Sequence, residues 1–70
     1  KKQLAEVPDF SPTALTILRL QADGLSVNKI AEQLGMKAVT VKYHTRENYR
    51  KLGVAGKTDA VLAARNLGIL

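Results

Sequence analysis

Two amphipathic stretches separated only by Gly35, Met36 and Lys37 constrain this chain more than any other feature. Residues 25–34 read LSVNKIAEQL and residues 38–53 read AVTVKYHTRENYRKLG. A turn this short between crossed helices calls for a left-handed residue, and Gly35 supplies it without a Cβ penalty. In a helix-turn-helix of this kind the second helix is held out where it can enter a DNA major groove. Placing residues 38–52 at about 100° intervals puts Val41, Thr45, Asn48 and Leu52 on one arc. Lys42, Tyr43, Arg46, Arg50 and Val39 fall opposite, so one face packs and a basic face points out.

The flanking segments supply two further helices. Ser11 followed by Pro12 is a helix entry, because Ser accepts from an orphan amide and Pro at the first helical position forfeits no bond. The first helix is expected over 12–22, with Leu15, Leu18 and Ala22 inward, Ile17 widening the stripe and Gly24 as its stop. Ser26 is expected to cap the second helix (26–34), whose inner side is Val27, Ile30, Ala31 and Leu34. After GVAGK, Thr58 is expected to cap a fourth helix over 58–67, with Asp59 near its positive end and Gly68 beyond it. Its inner stripe is Ala60, Val61, Ala64 and Leu67. Residues 1–10 mix charge with Pro8 and read as a linker or disordered approach to a domain spanning 11–70. The fold class is therefore all-α, a four-helix helix-turn-helix bundle.

Seventy residues allow one small core, and without cysteine the fold stands on helix packing alone, with neither disulfides nor thiolate chemistry. Eleven Lys and Arg against six Asp and Glu give a formal charge of +5 and an isoelectric point near 9.9, which suits a polyanionic partner. Nucleic acid is the first candidate and an anionic membrane surface the second. No apolar run approaches bilayer length, and Lys1 and Lys2 are not followed by the apolar stretch of a signal peptide. The absence of an initiating methionine reads as a fragment of something longer. The acids Glu6, Asp9, Asp23, Glu32, Glu47 and Asp59 are scattered, and no paired-carboxylate, Ser-His-Asp, phosphate-loop or metal spacing joins them, so no enzyme, cofactor or metal is expected. His44, the single histidine, has no metal-binding companions and reads as a packing or hydrogen-bonding residue at the edge of the third helix. Tyr49, at the seam between faces, reads as a packing residue with its hydroxyl at the surface.

FSPTALTILRL, GLS, Ile30-Ala31, TVKYH at 40–44, KLGV at 51–54 and DAV at 59–61 follow one another in an order that resembles the LuxR-type helix-turn-helix domain of bacterial transcription regulators. The resemblance covers nearly everything from Phe10 to Leu70. It implies a C-terminal output domain behind a sensor module, bacterial and cytoplasmic, binding inverted-repeat operators as a homodimer with the fourth helix at the subunit contact. Val61, Leu62 and Arg65 would then lie on the dimer helix, and RNA polymerase is a further partner. Lys42, Tyr43 and Arg46 become the base-edge readers, in keeping with the ability of Arg and Lys to donate to guanine O6 and N7. Thr40 and Lys51 match positions that touch phosphate. Lys37 at the third helix's N-terminus, which attracts anions, joins them, as do Arg50 and Lys57 on charge.

Several positions depart from the family pattern. Ala14 and Lys29 stand where Glu is usual, and Lys37 stands where a capping Ser or Thr is usual but cannot accept a bond from helix amides. Thr45 and Asn48 occupy inner positions usually filled by Val, Ile or Leu, so Asn48 needs a backbone partner or a place near an edge. Lys57 replaces an Arg and loses its planar fork. Against the operator-binding reading stand a sigma-factor-like promoter-reading helix-turn-helix and a basic helical protein-interaction module indifferent to DNA sequence.

Overall fold

The computed structural model describes residues 9–70, which form α1 (Pro12–Ala22), α2 (Val27–Leu34), α3 (Ala38–Leu52) and α4 (Lys57–Asn66), with no strand among the described residues. Of the stretch 1–10 read as an approach, residues 1–8 lie outside the described residues.

Local chemistry explains where the helices start. Ser11 Oγ accepts from the Ala14 amide at 3.1 Å with Pro12 in the first turn, and Ser26 Oγ accepts from the Lys29 amide at 3.3 Å. Lys37 makes no side-chain cap bond, in keeping with its lack of an acceptor. The start of α4 differs from the sequence expectation. Gly56, extended at φ −153° and ψ 175°, is the cap residue, so Thr58 lies inside the first turn and caps nothing. The Gly56 carbonyl takes the Ala60 amide at 3.0 Å, and Asp59 sits in that first turn against the positive end of the dipole.

All four helices end in one way. The residue after each terminal glycine donates its amide back five residues: Leu25 to Leu20, Met36 to Ala31, Val54 to Tyr49 and Ile69 to Ala64, at 2.9–3.1 Å. Gly35 (φ +66°) and Gly53 (φ +70°) bracket α3, and each left-handed turn throws the next apolar side chain back onto the core. Leu25 and Met36 pack against one buried cluster, Val54 and Ile69 against the other.

Those two clusters divide the interior. Ile17, Ile30, Ala31 and Val41 join α1, α2 and α3, with Leu20, Leu25, Val27, Leu34, Met36 and Ala38 around them. Leu18, Ala60 and Ala64 join α1 to α4, with Tyr49, Leu52, Val54, Ile69 and Leu70 around them. The inward face of α1 is rotated from expectation: Ala14, Ile17, Leu18 and Gln21 are buried, while Leu15 and Ala22 are half-buried. Gln21 turns inward because its amide Nε2 donates to Tyr49 Oη at 3.0 Å, which also corrects the expectation of a surface-facing Tyr49 hydroxyl. On α4, Ala60 and Ala64 are buried, Val61 is half-buried, and Leu67 caps the helix end 41% exposed rather than lying in the inner stripe.

Candidate nucleic-acid interface

The third helix carries its polar inner residues by local bonding. Thr45 Oγ1 donates to the Lys42 carbonyl at 2.8 Å, and Asn48, 1% exposed, donates from Nδ2 to the Ala14 carbonyl at 3.2 Å. Asn48 therefore finds the backbone partner its position requires, although its Oδ1 and the Oε1 of Gln21 have no partner. With Val41 buried between these residues and α2, α3 is anchored from both sides of its inner arc. Anchoring is what a helix needs in order to present side chains at fixed positions.

The opposite arc is open. Lys42, Tyr43, Arg46 and Arg50 are all exposed, Tyr43 by 59%, and Val39 at the first turn is 68% exposed. The structure thus brings the three expected base readers onto one outward face at the N-terminal half of α3. Val39 joins them as an apolar group suited to a thymine methyl. Sequence reasoning placed Val39 on this arc without assigning it a role; an apolar residue in an otherwise basic arc was the available signal. Half-buried His44 lies beside Tyr43, ring centroids 5.8 Å apart in an edge-to-face arrangement.

The residues expected at phosphate occupy different situations. Lys37, exposed, and Thr40, half-buried, stand at the N-terminus of α3, whose first amides have no side-chain cap. Lys57 is exposed at the start of α4. Lys51 is engaged: its Nζ donates to the Asp9 carbonyl at 2.9 Å and lies 5.4 Å from the centroid of the Phe10 ring. It ties the chain entering the domain to the far end of α3, a contact between residues 42 positions apart that no sequence period reveals. Arg50 is engaged as well, its guanidinium donating to Glu47 Oε1 at 2.5 Å. That hydrogen bond, helped by the charges of Arg50, Lys51 and Arg46 against slight burial, holds the Glu47 carboxyl below the usual carboxylate range.

Among the described residues lie open depressions of about 240, 310 and 270 Å³, none of these three lined by the α3 readers. The third, lined by Gln21, Ala22, Gly24, Lys57, Thr58, Val61 and Leu62, runs beside the exposed side of α4, where Leu62 is 54% exposed and Arg65 is exposed. Among the described residues no group of His, Asp and Glu is placed to hold a metal ion, and no helix is long and apolar enough to cross a membrane.

Comparison with known proteins agrees with this geometry. The family model for bacterial regulatory proteins of the luxR family, GerE, matches residues 8–64. The HTH-type transcriptional regulator MalT of Cronobacter sakazakii is 43% identical over 68 residues, covering 89% of this chain, and MalT of Klebsiella pneumoniae is equally similar. The chain spans only 8% of the length of these relatives. Among solved structures, the transcription factor GerE superposes with a TM-score of 0.82 at 31% identity, covering 87% of this chain and 91% of that one. The response regulator ChrA of a heme-sensing two-component system superposes at 0.84 with 34% identity, covering 97% of this chain and 35% of that one. The helix-turn-helix core, its outward basic helix and these similarities together make the chain a DNA-binding output domain that belongs to the luxR family of bacterial regulatory proteins.

Proposed function

We propose that this domain reads an inverted-repeat operator as a homodimer, with the N-terminal half of α3 in the major groove and α2 bracing it across the backbone. The observation that carries the reading is the shared outward face of Lys42, Tyr43 and Arg46 on a helix whose other face is pinned by Val41, Thr45 and Asn48. Arg46 and Lys42 donate to guanine edges, Tyr43 and Val39 meet thymine methyls, and each good bidentate contact discriminates by about 1–3 kcal/mol. Lys37, Thr40 and Lys57 hold phosphates and set register without reading sequence. Lys51 and Arg50 contribute to phosphate binding when they exchange their present partners for it.

Dimerisation through Val61, Leu62 and Arg65 is supported by the exposed apolar surface of Leu62 on α4, on a different helix from the readers. Two tethered copies gain affinity because the second contact is made at high effective concentration. An attached regulatory module in the bacterial cytoplasm controls whether the copies pair, and RNA polymerase is met at the promoter. Binding, not catalysis, is the activity of this domain.

Selection of bound sites from random duplexes tests the reading. It predicts a two-fold symmetric consensus, and sedimentation should show cooperative loading of duplexes carrying two half-sites over those carrying one. Independent loading of the two half-sites would overturn pairing through α4. An asymmetric consensus bound only together with core polymerase would favour a sigma-like role instead.

A further inference from the structure

One acidic side chain, half-buried Glu47, borders the basic arc of α3. Glu47 follows Arg46 directly, about 1.5 Å further along the helix axis, and lies one turn beyond Tyr43. Its carboxylate and the Arg50 guanidinium, 2.5 Å apart, form an acceptor–donor pair, with the Arg50 side chain 68% and the Glu47 side chain 31% exposed. A solvated i,i+3 pair of this kind does little for stability. On a face that meets a polyanion, a carboxylate also lowers affinity for every phosphate nearby. Its value must therefore lie in what it rejects.

We propose that Glu47 is a specificity-determining residue which, together with Arg50, selects a cytosine–guanine pair beneath the third turn of α3. This inference rests on the major-groove reading above and gives Arg50, held beside Glu47, a base contact in place of the phosphate contact named there. In the major groove cytosine presents only its N4 amine, a donor, while the guanine paired with it presents the acceptors O6 and N7. Glu47 accepts from N4 and Arg50 donates to the guanine edge of the same pair, so the donor order on the protein matches the acceptor order on the base pair. Thymine offers O4 and guanine offers O6 to the carboxylate, and both repel it. Adenine has an amine but sets its N7 acceptor beside it, against the second carboxylate oxygen. Glu47 thus discriminates largely by exclusion, which works by making wrong sites worse.

Site selection from random duplexes with the wild-type chain, Glu47→Gln and Glu47→Ala tests this. The wild type should show one position per half-site where C·G is preferred about tenfold. Glu47→Gln should lose that preference and shift toward A·T, because a carboxamide pairs with adenine N6 and N7. Glu47→Ala should weaken the preference at that position to the guanine bias that Arg50 alone supplies, and all other positions should stay unchanged. Both variants should bind random duplex several-fold more tightly than the wild type. A consensus identical in all three proteins, or a uniform rise in affinity with no change in base preference, would overturn the role of Glu47 while leaving the operator reading intact. A wild-type selection that yields no consensus would overturn the operator reading itself, and this inference with it.

Discussion

The two halves of the core are built from different materials. On the helix-turn-helix side, fully buried Ile17, Ile30 and Val41 lock α1, α2 and α3 together with branched aliphatic side chains. On the α4 side the buried contacts are Leu18 with two alanines, and the adjoining interior holds Gln21 and Asn48, each with an unpartnered oxygen. Branched chains bury more apolar surface per residue and lose more when truncated. Unpaired buried acceptors add a cost of about 1–3 kcal/mol each at this order of magnitude. The half that positions the base readers is therefore the stiffer one. The half expected to meet a second copy is the softer one, where pairing can supply the missing stability.

The largest effect should come from Ile30→Ala, which opens a cavity among α1, α2 and α3. Denaturant unfolding should register a loss of about 2–5 kcal/mol, a large share of the stability of a 70-residue domain. Ala64→Gly on α4 should cost about 2 kcal/mol at most, the helix-propensity difference plus one buried methyl. If the two substitutions cost the same, the contrast between the halves is wrong. Asn48→Leu sharpens the comparison in the other direction: replacing a buried carboxamide whose oxygen is unpartnered should stabilise the domain by about 1 kcal/mol. The Ala14 carbonyl keeps its place in the α1 backbone ladder, and a destabilised variant would mean that the Asn48–Ala14 bond outweighs the orphaned oxygen.

The smallest effect concerns acid. Because the folded Glu47 carboxyl titrates below its ordinary range, its contribution is complete above the unfolded carboxylate range. That contribution fades as pH falls through this range toward the lower folded value. Unfolding curves for the wild type and Glu47→Gln should diverge on the neutral side and converge as acid protonates the carboxyl. A gap that does not narrow in acid would place the origin of the shift elsewhere.

Much of this architecture was legible because punctuation and period agreed. Ser11-Pro12, Ser26, Gly35 and Gly53 mark boundaries that local chemistry enforces, and the inner and outer arcs of α3 follow from 3.6-residue geometry alone. What stayed hidden depended on partners distant in sequence. Gln21 looks like a surface residue until Tyr49, 28 positions later, offers its hydroxyl. The inward arc of α1 was consequently centred too near Leu15 and Ala22. Thr58 looks like a better cap than Gly56 by residue type, yet Gly56 takes the extended conformation one residue before the first turn, and the helix starts there. Lys51 reads as one more free cation until the Asp9 carbonyl and the Phe10 ring are seen beside it. Glu47 was legible only as a scattered acid, since its meaning comes from lying among Arg46, Arg50 and Lys51 on one helix.

The central claim is that side chains on the exposed arc of α3 read base edges. Fluorescence anisotropy at fixed salt, with the wild type and Arg46→Ala titrated against a selected duplex and a scrambled one of the same composition, tests it most directly. The wild type should bind the selected duplex more tightly than the scrambled one. Arg46→Ala should lose about 1–3 kcal/mol on the selected duplex, with a much smaller loss on the scrambled one. Equal affinity of the wild type for both duplexes, or an equal loss on both for the variant, would contradict the account.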